Sequence, residues 1–432
     1  MPRRVSFHTL GCKLNFAESS TIARHFEEGG FVRVATSAEC DIAIINSCSV
    51  TEHADKKCRN LIRKIHRRNP NAIIAVTGCY AQLKPYEIAA IEGVDIVLSN
   101  NNKGETYKRV VELSLKGKVQ VYSCTTDEIV SFFSAYSSND RTRAFLKVQD
   151  GCDYCCTYCT IHNARGASRN TPISECVKAA EAIAAGGQRE IVITGINTGD
   201  FGKTTGESFA DLLRALSRVE GIDRYRISSI EPNLLTDEIL DICSKSPKFQ
   251  PHFHIPIQSG SNRILNLMHR RYTAERFRER IEAVRRVMPD AFIGIDVIVG
   301  FPSESEEDFM NTYNLLADLK PSFLHIFPFS ERANTSAVEL PGKVPPSVAS
   351  ERVKRLEELS AKLHYDFCRS IVGKRVEVLV ESTERNGLMS GFTGNYIKVK
   401  MPYNRAYINK IVKVEISDIE PSGDTIGHII EE

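Results

Sequence analysis

No apolar run in this sequence reaches the roughly 20 residues that a membrane-spanning helix needs, so no transmembrane segment is expected. Charge of neither sign dominates. Against 56 Lys and Arg stand 54 Asp and Glu, a formal net charge of +2 that by itself implies no partner. A secretion signal is also missing: the N-terminal MPRRVSFHTLG carries two arginines and then reads as a strand. What the chain does have is cysteine. Thirteen of them in a chain without a signal peptide argue for metal or redox chemistry in a reducing compartment rather than for disulfides. A cytoplasmic protein is expected. Its 432 residues allow two or three domains with a large core.

The densest cluster lies in Asp150–Arg165, DGCDYCCTYCTIHNAR. Cys152, Cys156 and Cys159 form the spacing CxxxCxxC, which lets three thiolates in one loop converge on a small object. A tetrahedral zinc or an iron–sulfur cluster are the usual objects. Three ligands suit a four-iron cluster with one iron left open. A structural zinc knuckle would need a fourth ligand, for which His162 is the local candidate. Cys155 falls out of the register and reads as a bystander.

Residues 4–9, 41–46 and 72–77 are short Val- and Ile-rich runs, each followed by a helical pattern. That alternation predicts a parallel α/β domain. Such sheets gather functional groups beyond the carboxyl ends of their strands. Each run ends in a small residue and then a cysteine: Gly11-Cys12, Ser47-Cys48 and Gly78-Cys79. Topology therefore brings three sequence-distant thiols to one sheet edge. The other reading, small buried core residues, suits Cys40, Cys58, Cys124, Cys176, Cys243 and Cys368. Cys58, for instance, continues the stripe Leu61, Ile62, Ile65. On the helix after Cys48, Lys56, Lys57, Arg59, Arg63, Lys64, Arg67 and Arg68 lie opposite that stripe. They form either a solvated face or a phosphate-neutralising one, with Arg63, Lys64 and Arg67 as RNA-contact candidates.

Residues 132–141 lack helical periodicity and mark a domain boundary. Beyond it, strand candidates at 145–148, 190–194, 225–230, 252–257, 292–299 and 323–327 alternate with helical segments such as 174–185, 208–218 and 304–319. Six βα units are too few for a closed eight-fold barrel. Residues 350–370 read as a helix leading away. From Val376 the pattern turns to short alternating strands, with Gly387, Gly391 and Gly394 marking turns, so a small antiparallel barrel is expected. Lys398, Phe392 and Tyr396 suit RNA contact through charge and stacking.

The CxxxCxxC loop resembles the signature of the radical S-adenosylmethionine (SAM) enzymes, in which SAM chelates the open iron. The dispersed triad preceding it, within TLGCKLN, INSCSVT and TGCYAQ, resembles that of the methylthiotransferases. The resemblance implies three domains: residues 1–131 with an auxiliary cluster, a partial (β/α)6 radical SAM barrel over 138–370, and a TRAM-like RNA-binding barrel over 371–432. It implies two 4Fe–4S clusters, one on Cys12, Cys48 and Cys79 and one on Cys152, Cys156 and Cys159, with SAM as cofactor. Tyr158, Gly195, Asn197, Glu231, Gln258 and Asp296 would then contact SAM. Arg165, Arg169, Arg270 and Arg271 are candidates for phosphate or SAM carboxylate contacts, the first two also for RNA. Expected partners are tRNA, a flavodoxin- or ferredoxin-type electron donor and a sulfur donor.

Within the family, GCKLN around Cys12 resembles the branch acting on N6-threonylcarbamoyladenosine beside the tRNA anticodon. The isopentenyladenosine branch tends to GCQMN and the ribosomal-protein branch to GCPKN. A cation at Lys13 suits the threonyl carboxylate. A non-catalytic iron–sulfur RNA-binding protein is the reading from outside the enzyme class.

Overall fold

The computed structural model describes residues 2–113, 118–138 and 141–430. The N-terminal unit is a six-stranded parallel sheet in the order Val32–Val34, Arg4–Thr9, Ile42–Ser47, Ile73–Gly78, Ile96–Leu98, Gln120–Tyr122. Ile42–Ser47 and Ile73–Gly78 are buried along their whole length, as strands covered on both faces must be. The helix Glu52–Arg68 starts where the Thr51 side chain accepts from the Ala54 N–H, and it buries Cys58, Ile62 and Ile65 on one stripe.

The central unit has six parallel strands. Arg224–Ile227, Glu190–Thr194 and Arg143–Lys147 form one sheet, and His252–His254, Phe292–Val299 and Phe323–Pro328 another. Parallel bridges Tyr225–Phe249 and Ser229–His254 join the two into a partial barrel. The segment 132–141 is more than a connector. Its Ala135–Tyr136 adds an antiparallel edge strand beside Arg143–Lys147, while residues 139–140 lie outside the described residues. The helix Pro346–Arg369 packs against Phe323–Pro328 and leads to the last unit.

That unit is a closed five-stranded barrel of Arg375–Arg385, Leu388–Thr393, Lys398–Pro402, Ile411–Ile419 and Thr425–Ile429. Two expectations change here. One pairing, Lys398–Pro402 with Thr425–Ile429, is parallel and closes the barrel. Gly391 lies inside a strand rather than at a turn, because a Cβ there would meet the Leu379 carbonyl oxygen at 2.5 Å. The small barrel docks on the large one near the amino-terminal ends of its strands, where Arg143 and Arg224 each open a strand. Arg226 donates to the carbonyls of Gly394 at 2.6 Å and Thr393 at 2.8 Å, Arg224 donates to that of Phe392, and Arg143 pairs with Glu381 at 2.9 Å.

Candidate active site at the domain junction

Cys12, Cys48 and Cys79 follow three strands that are immediate neighbours in the first sheet, so their loops leave one edge side by side. Gly11 and Gly78 turn the chain into the first and third with φ of +97° and +98°. A Cβ on Gly11 would sit 2.7 Å from Cys48 Cβ and 2.9 Å from its Sγ, so the first loop lies directly on the second cysteine. Burial pushes the Cys48 thiol up to about 12, and Cys79 and then Cys12 push it the same way. Cys12 is likewise raised by burial, against the pull of Arg165, and Cys79 again acts upon it. Repulsion of this kind acts between thiols on neighbouring loops. Cys12 is exposed and lines a partly open chamber.

Beneath this triad lies a buried charge network that the sequence pattern does not advertise. Glu18 accepts from Lys103 at 2.5 Å, Lys147 at 2.8 Å and Arg165 at 3.1 Å. Asp150 accepts from Lys147 at 2.6 Å and Arg165 at 2.8 Å, with Arg169 at 3.5 Å. Four cations against two carboxylates leave two positive charges, and Cys12 and Cys79 act on Arg165 together with Asp150 and Glu18. A buried cationic excess beside three thiols fits an anionic metal–thiolate group. The network also corrects an expectation. Arg165 is 1% exposed and Arg169 6%, so RNA cannot reach either. Arg165 instead ties the two domains together, donating to Asn15 at 2.6 Å as well as to Glu18.

The CxxxCxxC loop gathers its own triad. Burial pushes Cys152 and Cys159 up to about 12, and each is raised further by its fellow cysteines. The Tyr154 N–H points at Cys152 Sγ (3.4 Å), the Ile161 N–H at Cys159 Sγ (3.5 Å), and Arg270 donates to Cys156 Sγ at 3.1 Å. Donors aimed at sulfurs fit thiolate ligands of a cluster. Arg270 also pairs with Glu231 and donates to the Tyr158 hydroxyl, so two of the six predicted SAM contacts are assembled around one buried guanidinium. Arg271 lies over the Tyr154 ring at 4.1 Å. Cys155 is exposed, and His162 Nδ1 is held by the Cys152 carbonyl at 2.8 Å.

The two cysteine loops abut. Thr160, next after Cys159, donates to the carbonyl of Ser49, next after Cys48, at 3.5 Å. The helix that opens at Cys79 packs on the helix Ile161–Arg165. Asn100 donates to the Ala164 carbonyl at 2.6 Å across the same seam. Arg332, which the sequence did not mark, clamps it from below through Ser49 Oγ at 2.8 Å and Asp55 at 2.9 Å.

Cys12 shares its chamber of about 800 Å³ with the strand ends of the partial barrel, including Gly195, Ser228 and Asp296. The Gly195–Asn197 turn is fixed by Gln149, whose Oε1 accepts from the N–H groups of Ile196 at 2.9 Å and Asn197 at 3.0 Å. Asn197 is 2% exposed, and among the described residues neither polar atom of its side chain has a partner; nor has the hydroxyl of buried Ser228. Orphaned polar groups at strand ends fit a polar ligand such as SAM. Gln258 holds a left-handed φ of +66° beyond the strand His252–His254, where it bridges to Val297, and Asp296 lies 2.7 Å from His254 Nε2. Phe392 and Tyr396 stack on each other and face this chamber rather than the outer surface. Lys398 lines it too, paired with Asp424 at 3.0 Å. Arg63, Lys64 and Arg67 are exposed on their helix, whereas Arg59 is bound by Glu52 and Glu87.

A partial barrel with a CxxxCxxC loop after its first strand, capped by a small β-barrel, defines the class. Residues 4–99 match the uncharacterized protein family UPF0004, 146–316 the radical SAM superfamily and 369–428 the TRAM domain. The threonylcarbamoyladenosine tRNA methylthiotransferase MtaB of Bacillus subtilis (strain 168) is 41% identical over 95% of this chain and 93% of its own length. The enzyme of that name from Thermotoga maritima is 38% identical, covering 98% and 96%. The tRNA-2-methylthio-N(6)-dimethylallyladenosine synthase of Aquifex aeolicus is 32% identical, covering 98% and 97%. Among solved structures, the radical SAM methyltransferase TsrM from Kitasatospora setae, with cobalamin and a [4Fe-4S] cluster bound, superposes with a TM-score of 0.57 at 13% identity. It covers 90% of this chain and 81% of that one, a likeness of fold alone. The chain belongs to the radical SAM methylthiotransferase family, whose cofactors are 4Fe–4S clusters and SAM.

Proposed function

We propose that this protein adds a methylthio group to C2 of N6-threonylcarbamoyladenosine next to the anticodon of tRNA. The observation that carries the reading is the contact between the two cysteine loops, Thr160 against Ser49, within a chain whose relatives at 35–41% identity carry the threonylcarbamoyladenosine name. When bound, the clusters and SAM supply one-electron chemistry able to remove hydrogen from an unactivated C–H bond, and a sulfur to transfer.

The chain's own residues do the rest. Cys12, Cys48 and Cys79 would hold one cluster, and Cys152, Cys156 and Cys159 the other. Arg270 orients Tyr158 and Glu231 beside the second site. Asn197, Gly195, Gln258 and Asp296 present polar groups and close backbone to SAM. The stacked Phe392 and Tyr396 supply an aromatic wall for a nucleobase. The docked C-terminal barrel, held by Arg226, shields the chamber from water. On the outside, Arg63, Lys64 and Arg67 take tRNA phosphates. The functional units follow the division 1–131, 138–370 and 371–432. A small flavin or iron–sulfur protein supplies electrons, a separate donor supplies sulfur, and the enzyme works in the cytoplasm. No helix among the described residues is long and apolar enough to cross a membrane.

The test is mass spectrometry of tRNA nucleosides from a strain lacking the gene. The methylthio form of threonylcarbamoyladenosine should vanish and return on complementation. Loss of methylthio-isopentenyladenosine instead would overturn the substrate assignment.

A further inference from the structure

The chamber has a side pocket of about 300 Å³ that opens beside Cys12 and shares Lys13, His252 and Tyr396 with it. Four cations line this pocket, Lys13, Arg141, Arg143 and Arg226, and no carboxylate does. Two of them are anchored from behind: Arg226 by Glu190 at 2.7 Å, and Arg143 by Glu381 at 2.9 Å. Arg141 lies over the Phe16 ring at 4.5 Å, and neither it nor Lys13 forms an ion pair among the described residues. Four cations against two carboxylates leave a local excess of two positive charges in a recess whose remaining walls include Phe16, Phe145 and Val192. Charge held like this beside apolar walls favours an anionic ligand and disfavours an uncharged one.

We propose that this pocket takes the threonyl group of the substrate nucleoside, with Lys13, Arg141 and Arg143 binding its carboxylate. The proposal deepens, and rests on, the threonylcarbamoyladenosine reading. The pocket's size suits a group of amino-acid dimensions, and its aromatic and aliphatic walls suit the threonyl methyl. An isopentenyl group placed there would leave Lys13 and Arg141 desolvated and unpaired, so the pocket rejects it as well as welcoming the acid. His252 and Tyr396, shared with the chamber, place the adenine next to the recess.

The experiment uses anaerobically reconstituted enzyme and three anticodon stem-loop RNAs. One carries threonylcarbamoyladenosine, one the same nucleoside with its carboxylate converted to the amide, and one isopentenyladenosine. Dissociation constants come from fluorescence anisotropy and single-turnover rates from product analysis. Wild type should prefer the acid over the amide by at least about tenfold. K13Q and R141Q should each shrink that ratio, and K13R should restore it, which separates charge from fold. R143Q is the less clean variant, because Glu381 would lose its partner at the barrel interface. If wild type modifies the threonylcarbamoyl RNA yet treats acid and amide alike, or if K13Q and R141Q both keep the full ratio, the pocket assignment falls and the substrate reading stands. If wild type modifies only the isopentenyl RNA, both fall.

Discussion

Replacing Gly78 with Ala tests how the fold brings Cys79 against Cys48. Gly78 has φ +98° and ψ −168°, a region that side chains avoid at a cost of about 1–3 kcal/mol. An added Cβ would also lie 2.4 Å from the Ser47 carbonyl oxygen and 2.6 Å from both the Ser47 nitrogen and Asn46 Oδ1. Two of these atoms are backbone of the strand that delivers Cys48, so neither can swing aside. Overpacking of this kind costs a further 1–3 kcal/mol, for a sum of about 4 kcal/mol. The natural control is Gly30, where φ is +82° but a Cβ meets nothing within 4 Å. G30A should therefore lose only about 1 kcal/mol. Urea unfolding under anaerobic conditions gives both values, and visible charge-transfer absorbance follows cluster loading. G78A should be destabilised well beyond G30A and lose about half the absorbance, because the strands carrying the first triad must separate while the CxxxCxxC loop is untouched. A G78A protein as stable as G30A with full absorbance would refute this.

Three further outcomes follow from the same geometry. R165M removes the guanidinium shared by Glu18, Asp150 and Asn15 and should cost about 3 kcal/mol in urea unfolding, since Lys103 and Lys147 still face the carboxylates; a loss below about 1 kcal/mol would mean the network is not holding the junction together. R63E/K64E/R67E should weaken tRNA binding and flatten its dependence on salt, and an unchanged slope would return that helix face to plain solvent. In cluster-free protein, Cys48, Cys152 and Cys159 keep their protons to about 12, whereas unfolded thiols release them near pH 8.5. The folded state binds these protons more tightly, so their stabilising contribution is complete below about pH 8.5 and fades as pH rises towards about 12. Cluster-loaded protein, its thiols already deprotonated, should show no such decline over pH 8–10, and parallel curves for the two forms would contradict the picture.

The strand runs ending in Gly11-Cys12, Ser47-Cys48 and Gly78-Cys79 were legible because parallel sheets put function at strand ends and because hydrophobic runs of that length have one plausible role. Their adjacency follows from the sheet order, which places strands one, three and four of the sequence side by side. The seam between domains was not legible. Glu18 lies on a helix between Ala17 and Ser19 with nothing local to mark it, and Lys103, Lys147, Asp150 and Arg165 are scattered over sixty residues and more; only folding makes them one network. For the same reason Arg165 and Arg169 looked like surface cations when they are buried. Gln149 and Arg332 act through contacts that no local spacing encodes. Gly391 misled because glycine marks close backbone approach as often as a turn.

The central claim is that two separate sets of three thiolates each hold a cluster. Iron and labile sulfide counted in wild type, in C12A/C48A/C79A and in C152A/C156A/C159A, all reconstituted anaerobically, test it most directly. Wild type should hold about eight irons and each triple variant about four. A C12A/C48A/C79A protein that still binds the wild-type amount would show that those three strand ends carry no metal.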